Sequence, residues 1–257
     1  MNILFTLCGR AGSKGVKGKN IRDFCGIPLV WYSLAAIALC KEQYQHLFGQ
    51  SKVVLNTDSD ELVRLVKMQR QVAVDVINRD SALAEDCTPK VSVIRDCLDR
   101  MEVNNTAPFD MVVDLDITSP LRTAEDIYSA VQKKISKPNT DVVYSVTHSR
   151  RNPYFNMVKE ENGYYVKAIK SEYTARQQAP AFFDMNASIY AYDPGALRTK
   201  PAAGFFNDHA DVIVMQDTGI LDIDSEDDYN LLQVIAKFYY ENDANYRAVR
   251  DLALSWK

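Results

Sequence analysis

No stretch of the sequence approaches the roughly 20 consecutive apolar residues that a membrane-spanning helix requires. The amino terminus also lacks the basic-then-apolar layout of a secretory leader, because its short apolar segment runs straight into a glycine-rich loop. Histidine is scarce: His46, His148 and His209 are the whole supply, and they form no evident metal triad. No Ser/His/Asp or Cys/His arrangement stands out, so there is no ground for expecting a covalent intermediate. Cys8, Cys25, Cys40, Cys87 and Cys97 are odd in number and show no CxxC pairing. They suit a reducing compartment better than a disulfide framework or a zinc site, and a cytoplasmic enzyme is the expectation. Positive charge is not in excess: 30 Lys and Arg stand against 34 Asp and Glu, a formal net charge of −4. That balance offers no global attraction to nucleic acid or to an anionic membrane. Internal repeats, low-complexity tracts and linkers are absent too.

What remains is an ordinary globular composition, 47% hydrophobic and 25% charged over 257 residues. That length suits one large α/β domain, or one domain with a sizeable insertion. The first half alternates strand and helix patterns. NILFTLC is a continuous apolar run, as expected of a strand covered on both faces. PLVWYSLAAIALCKE reads as a helix with Pro28 in its first turn. KVVLNT is strand-like, DSDELVRLVKMQ a helix capped by Asp58 or Ser59, VAVDVI a short strand and PKVSVIRDCLDRM a helix. DMVVDLDI is a further strand. TAEDIYSAVQKKI opens with a capping box from Thr123 to Asp126, and DVVYSV follows as a strand. This alternation predicts a doubly wound, mostly parallel, Rossmann-like sheet, with ligands outside the carboxyl ends of its strands. From about 147 to 184 the pattern breaks into a polar, aromatic segment with a hairpin-like YFNMVKEENGYYVKAIK, read as an inserted lobe. DMNASIYAYD and GILDID resume strand character, and amphipathic helices over about 225–257 close a single domain.

Glycine is sparse, ten residues in all, yet Gly9, Gly12, Gly15 and Gly18 crowd into GRAGSKGVKG. The loop fails the Walker pattern, since Gly18-Lys19 is followed by Asn20, and the three-residue glycine spacing fails the dinucleotide fingerprint. A strand, a loop with exposed amides and Arg10, Lys14 and Lys19, and then a helix still suit a phosphate cradle. On this stretch alone a solvated turn is an equal reading.

GRAGSKGVKGKNIRDFCGIPLVWYSLAA resembles the opening signature of the CMP-sugar acid synthetases, the cytidylyltransferases that activate sialic acid and related nine-carbon acids. VINRDSALAEDCTPK, LDITSPLRTAEDI, ARQQAPAFFDMNASIYAYD, GFFND and LDIDSEDDYNLL resemble later motifs of that family, in order, from residue 2 to about 236. The resemblance implies a nucleotide-diphospho-sugar transferase fold and attack by the sugar acid's anomeric hydroxyl on the α-phosphate of CTP. It assigns Arg10, Gly12, Ser13 and Lys14 to the triphosphate, Lys19 to the α-phosphate as electrostatic stabiliser, Asn20 to the cytosine or ribose, and Arg79 to CTP. Asp222 and Asp224, on one face of an extended segment, would hold Mg²⁺; on spacing alone Asp224 reads as a helix cap before Ser225. Arg10, Lys14, Lys19, Asp222 and Asp224 are thus the implied catalytic set. Arg176, in RQQAP beside Gln177, would grip the sugar acid's carboxylate through paired hydrogen bonds. Asn186, Phe205 and Phe206 would line the sugar pocket. The family's inserted lobe implies a homodimer.

Two departures stand out. Many members carry Gln-Pro-Thr-Ser-Pro where this chain has Asp116-Ile117-Thr118-Ser119-Pro120. An ionised aspartate accepts hydrogen bonds and donates none, so Asp116 points to different sugar substituents or to a metal role. Lys90 stands where relatives often have Ser or Thr near the nucleotide, so it adds a phosphate contact or faces solvent. Pseudaminate and octulosonate enzymes are the alternatives within the family. The octulosonate branch typically shows Gln-Gly-Asp-Glu-Pro at its central motif, which DLDITSPLR does not match. A non-catalytic nucleotide-binding relative is the alternative of another class.

Overall fold

The computed structural model describes residues 1–12, 15–103, 105–218 and 223–257. In chain order the first elements are β1 (Ile3–Cys8), β2 (Asp23–Phe24), β3 (Ile27–Pro28), α1 (Leu29–Gln43), β4 (Lys52–Thr57), α2 (Asp60–Met68), β5 (Asp75–Asn78), α3 (Lys90–Val103) and β6 (Met111–Leu115). They continue as α4 (Ala124–Ser136), β7 (Val142–His148), β8 (Val158–Glu161), β9 (Tyr164–Lys167), β10 (Phe183–Tyr192), α5 (Pro194–Thr199), β11 (Ala210–Val214), α6 (Glu226–Asn242) and α7 (Ala244–Leu254).

Ile3, Leu4, Phe5 and Leu7 of β1 are all fully buried. A strand covered on both faces has no solvent side to demand alternation, which is why NILFTLC reads as one apolar run. Among the described residues, seven strands form the main sheet, in the order β11-β7-β10-β6-β1-β4-β5. Neighbours pair in parallel except β10, which runs antiparallel to both β6 and β7. After β1 the chain builds outward to β4 and β5 on one side, then crosses to β6 on the other. The crevice therefore opens beyond the carboxyl ends of β1 and β6, where sheets of this kind hold ligands.

Local signals decide the helix starts. The Ser59 hydroxyl caps α2 by accepting from Leu62 N, and the Thr123–Asp126 capping box opens α4. A second box, Ser225–Asp228, opens α6. Pro28 sits one residue ahead of α1, at its N-cap, and not inside the first turn. β5 is shorter than VAVDVI suggested. β11 is an additional strand at the sheet edge, where half-buried ADVIV leaves little apolar pattern to read. GILDID falls largely on residues 219–222, outside the described residues. Between His148 and Phe183 the chain leaves the sheet. There β8 and β9 form an antiparallel hairpin turned by Asn162 and Gly163, whose φ values of 55° and 79° suit the Asn-Gly turn.

One buried cation organises the end of β6. Arg122 is only 1% exposed. Its Nε donates to Ser188 Oγ at 3.1 Å, Nη1 to Ser33 Oγ at 3.2 Å, and Nη2 to the carbonyls of Asp116 at 2.7 Å and Ser119 at 3.0 Å. These bonds join β10, α1 and the loop after β6. Only a planar fork reaches all four partners, so Arg122→Lys is expected to lower unfolding stability by about 1–3 kcal/mol, through buried acceptors left unpaired. Urea denaturation of the two proteins measures it.

Candidate active site

A cleft of about 370 Å³ lies beyond the carboxyl ends of β1 and β6. It gathers Arg10, Lys19, Asn20, Arg79, Lys90, Asp116 and Asp224 from segments far apart in sequence. Ser13, Lys14 and Asp222 lie outside the described residues.

The glycine loop meets the acidic segment at van der Waals limits. A Cβ built on Gly15 would stand 2.1 Å from the carbonyl oxygen of Asp224, so only glycine admits that backbone. Lys19 Nζ donates to the Ile223 carbonyl at 2.9 Å and lies 3.5 Å from Asp224 Oδ1. Arg22 pairs with both Glu226 oxygens, at 2.6 and 2.8 Å, reinforcing the same join. Gly18 needs its freedom for a φ of +63°, whereas among the described residues nothing lies within 4 Å of a Cβ on Gly12. Lys17 is exposed. Asn20 is buried and donates to the Arg10 carbonyl at 3.1 Å. Arg10 reaches the Ala84 carbonyl at 3.3 Å and pairs with Asp86. Arg79 is buried with its guanidinium on Asn56, at 2.8 Å to both the side-chain and main-chain oxygens.

The floor of the cleft is a charge cluster. Lys90 Nζ lies 2.8 Å from Asp114 Oδ2 and 2.7 Å from Asp116 Oδ2. Lys90 is therefore only partly exposed and does not stand apart from Asp116: the two departures seen in the sequence are one contact. Asp116 Oδ1 accepts from Thr118 N and Oγ1, at 3.0 and 2.8 Å, and Asp114 Oδ1 accepts from Thr6 Oγ1 at 2.8 Å. Burial alone would raise the Asp116 carboxyl, but Lys90 and the Thr118 bonds outweigh it and hold the carboxyl at about 2. Burial likewise pushes the Lys90 ammonium down, and Asp114 and Asp116 reverse this to a value well above the usual lysine range. An acid held so low is a fixed hydrogen-bond acceptor and a poor general base. A hydrogen bond to Cys97, then burial, raise the Cys8 thiol well above its ordinary value, which disqualifies it as a thiolate nucleophile.

Apart from Asp116, the residues expected around the sugar acid do not share this cleft. Arg176 donates from Nη2 to the Ser149 carbonyl at 2.9 Å and lines a second hollow of about 350 Å³ at the base of the lobe, with His148 and Arg151. Gln177 is exposed on the lobe. Asn186 is buried, 2.5 Å from Ser145 Oγ, beside a narrow crevice with Ser119 and Thr147. Phe205 is fully buried edge-on to Tyr192, in the core and not on a pocket wall. Phe206 is partly exposed and stands edge-on to Tyr144 and Tyr190, making an aromatic wall next to β6. Sequence reasoning passed over Asp114, although it lies two residues before Asp116 and so on the same strand face. It gave no role to Arg122 or Thr118, both within TSPLR, nor to Asp86, whose pairing with Arg10 is a contact between distant segments with no local signal.

A family model described as cytidylyltransferase matches residues 7–243. The chain is 34% identical over 236 residues to the post-translational flagellin modification protein B of Campylobacter coli, covering 91% of this chain and 95% of that one. It is 36% identical over 233 residues to the CMP-N,N'-diacetyllegionaminic acid synthase of Campylobacter jejuni, covering 91% and 94%. An N-acylneuraminate cytidylyltransferase of Streptococcus agalactiae is 26% identical over 235 residues, covering 90% of this chain and 52% of that one. Among solved structures, a CMP:2-keto-3-deoxy-manno-octonic acid synthetase complexed with CTP has a TM-score of 0.61 at 14% identity. That match covers 94% of this chain and 100% of the other, a likeness of fold.

The charge cluster carries a stability prediction. Lys90→Met leaves two neighbouring carboxylates with less compensation. It is expected to cost about 2–4 kcal/mol at neutral pH, somewhat less than a fully buried pair because Lys90 is partly exposed. The Asp116 carboxyl is held low, so its contribution in the wild type is present above about pH 4 and fades as pH falls towards 2. The gap between wild type and variant should therefore narrow from pH 7 to pH 3, as read by urea denaturation across that range.

Proposed function

The chain belongs to the cytidylyltransferase family, and from that membership we propose that it activates a nonulosonic acid, transferring CMP from CTP to the sugar acid with release of pyrophosphate. The observation that carries this reading is its 36% identity, over nearly the whole of both chains, to a CMP-legionaminic acid synthase. The lower identity to the sialate-type enzyme, 26%, favours a legionaminic-type acid over sialic acid.

In this reaction the anomeric oxygen forms a bond to the α-phosphorus, the bridging P–O bond to pyrophosphate breaks, and the hydroxyl proton is lost. Such transfers depend on positioning and on neutralising charge at the phosphate oxygens. Lys19 is held at the join between the glycine loop and the acidic segment, suited to the α-phosphate. Arg10 stands at the rim of the same cleft, suited with Lys14 to the phosphates that depart. Asn20 and Arg79 are fixed by main-chain and Asn56 contacts, as nucleoside-reading groups require. In support of magnesium, Asp224 offers an exposed carboxylate on the cleft, and magnesium takes one or two protein carboxylates with phosphate oxygens completing its shell. Asp222 would be the second carboxylate. When bound, the ion would withdraw charge from the phosphate oxygens and acidify an attacking hydroxyl. For the acceptor, Arg176 suits the carboxylate, with Gln177 beside it on the lobe, and Asp116 and Phe206 suit the carbon chain.

The enzyme is expected to release pyrophosphate from CTP in the presence of N,N'-diacetyllegionaminic acid, and to stop when magnesium is chelated. Lys19→Ala should lose at least about 10²-fold in kcat. CTP binding without turnover on any nonulosonic acid would instead favour a non-catalytic nucleotide-binding relative. Five free thiols agree with a reducing, cytoplasmic setting. The charge balance gives no support to a nucleic-acid partner, and among the described residues no helix is long and apolar enough to cross a membrane. The hairpin of β8 and β9 exposes Val158, Tyr164 and Tyr165, and such a surface suits pairing with a second copy. Light scattering is expected to give twice the 29.1 kDa chain mass, and a monomer would refute the dimer.

A further inference from the structure

The Lys90–Asp116 contact has donors and acceptors left over. A lysine ammonium carries three N–H groups; one is donated to Asp116, and the ammonium is in ion-pair contact with Asp114, so donor capacity is left over. Asp116 Oδ1 already accepts two bonds from Thr118, whereas Oδ2 accepts from Lys90 and keeps acceptor capacity. Asp114 is fully buried and serves only as an anchor, but Lys90 and Asp116 are 33% and 22% exposed, and both line the cleft. The floor thus presents a donor and an acceptor 2.7 Å apart.

Its charge holds no surplus for phosphate. Two carboxylates are balanced by Lys90 and the buried Arg122, and polyphosphate would meet Asp116 as soon as it met Lys90. The surroundings agree. Tyr190 pairs with Asp114 across the β6–β10 ladder, and with Tyr144 and Phe206 it makes an uncharged aromatic cluster on the β10 side of β6, beside the cleft and not among its lining residues. The cations of the glycine loop come from the other side, beyond β1.

We propose that Lys90 and Asp116, anchored by Asp114, form one specificity-determining unit that reads a neutral substrate group able to donate and accept at once, a hydroxyl or a secondary amide. Lys90 is then not a phosphate contact. This rests on the reading of the chain as a sugar-acid cytidylyltransferase. Two substrate parts carry such groups, the hydroxyl and acylamino substituents of the sugar acid and the ribose diol of CTP. The position of the pair towards β10, away from the cations of the glycine loop, favours the sugar acid.

Asp116→Asn tests it, since the variant keeps the side-chain shape and leaves Lys90 paired with Asp114. Initial rates of pyrophosphate release are measured with the sugar acid and CTP varied in turn, and with pyrophosphate added as inhibitor. The expected result is a fall of about 10–100-fold in kcat/KM for the sugar acid, the worth of a charge-assisted hydrogen bond, with inhibition by pyrophosphate unchanged. The same fall confined to CTP, again with unchanged pyrophosphate inhibition, supports the unit and identifies the ribose as the group read. Lys90→Arg, which keeps charge and donors, should retain more activity than Lys90→Met. In the Lys90→Met/Asp116→Asn double variant the losses should fall well short of additive. Unchanged kinetics for both substrates in Asp116→Asn overturn the proposal. So does tighter inhibition by pyrophosphate, the signature of a phosphate-binding lysine released from one carboxylate. A wild-type protein that turns over no sugar acid overturns the parent reading, and this one with it.

Discussion

Two carboxylates, Asp114 and Asp116, project from the same face at the carboxyl end of β6, and the site depends on their being neutralised. An uncompensated buried charge costs several kcal/mol, and breaking such a pair is strongly destabilising. Lys90 answers both carboxylates from the first residue of α3, and Arg122 brings a second positive charge to the same region. Arg122 keeps its charge at neutral pH even though burial lowers it to about 10. The outcome is geometric as well as electrostatic. α3, the loop after β6, β10 and α1 are tied to one point on the sheet, and that point is the floor of the cleft.

The other wall is fixed by shape. Gly15 admits the Asp224 carbonyl where any side chain would collide. Lys19 then bonds the Ile223 carbonyl, and Arg22 bonds Glu226 at the start of α6. A loop near the amino terminus and a turn some two hundred residues later thereby become one surface, carrying cations from the first and a carboxylate from the second. Glycine here permits close approach of backbone to backbone. At Gly12 a Cβ would meet none of the described residues within 4 Å, so glycines in one loop need not share a reason.

Much of this was legible in the sequence because the signals were local. A continuous apolar run marked β1, Thr123 and Asp126 marked the start of α4, and Asn162-Gly163 lay within the hairpin-like segment. The Arg10, Lys19, Asn20 and Arg79 grouping came through resemblance, since spacing alone left the loop undecided between cradle and solvated turn. What stayed hidden was contact between distant segments. Nothing near Lys90 announces Asp114 or Asp116, and nothing near Arg10 announces Asp86. Phe205 and Phe206 are adjacent and chemically identical, yet one is in the core and the other on an aromatic wall. Which neighbour turns inward depends on the turn after α5, where no periodic pattern applies. Asp114 was within reach, because the two-residue period that groups Asp222 with Asp224 groups Asp114 with Asp116 equally well.

The cations at the rim are already occupied. Arg10 pairs with Asp86, and Lys19 approaches Asp224, through carboxylate side chains that are 47% and 79% exposed. Exposed pairs of this kind contribute about 0–1 kcal/mol each, so exchanging them for phosphate oxygens sacrifices little. They also keep the guanidinium and ammonium ordered, which reduces the entropy lost when a ligand arrives. The floor behaves oppositely: Asp114 is fully buried and Lys90 is shared between two acids, so a phosphate drawing Lys90 away would strand them. Ease of exchange therefore divides the cleft into a rim whose partners can be replaced and a floor whose partners stay. A polyanion belongs at the rim, and recognition of neutral groups belongs at the floor.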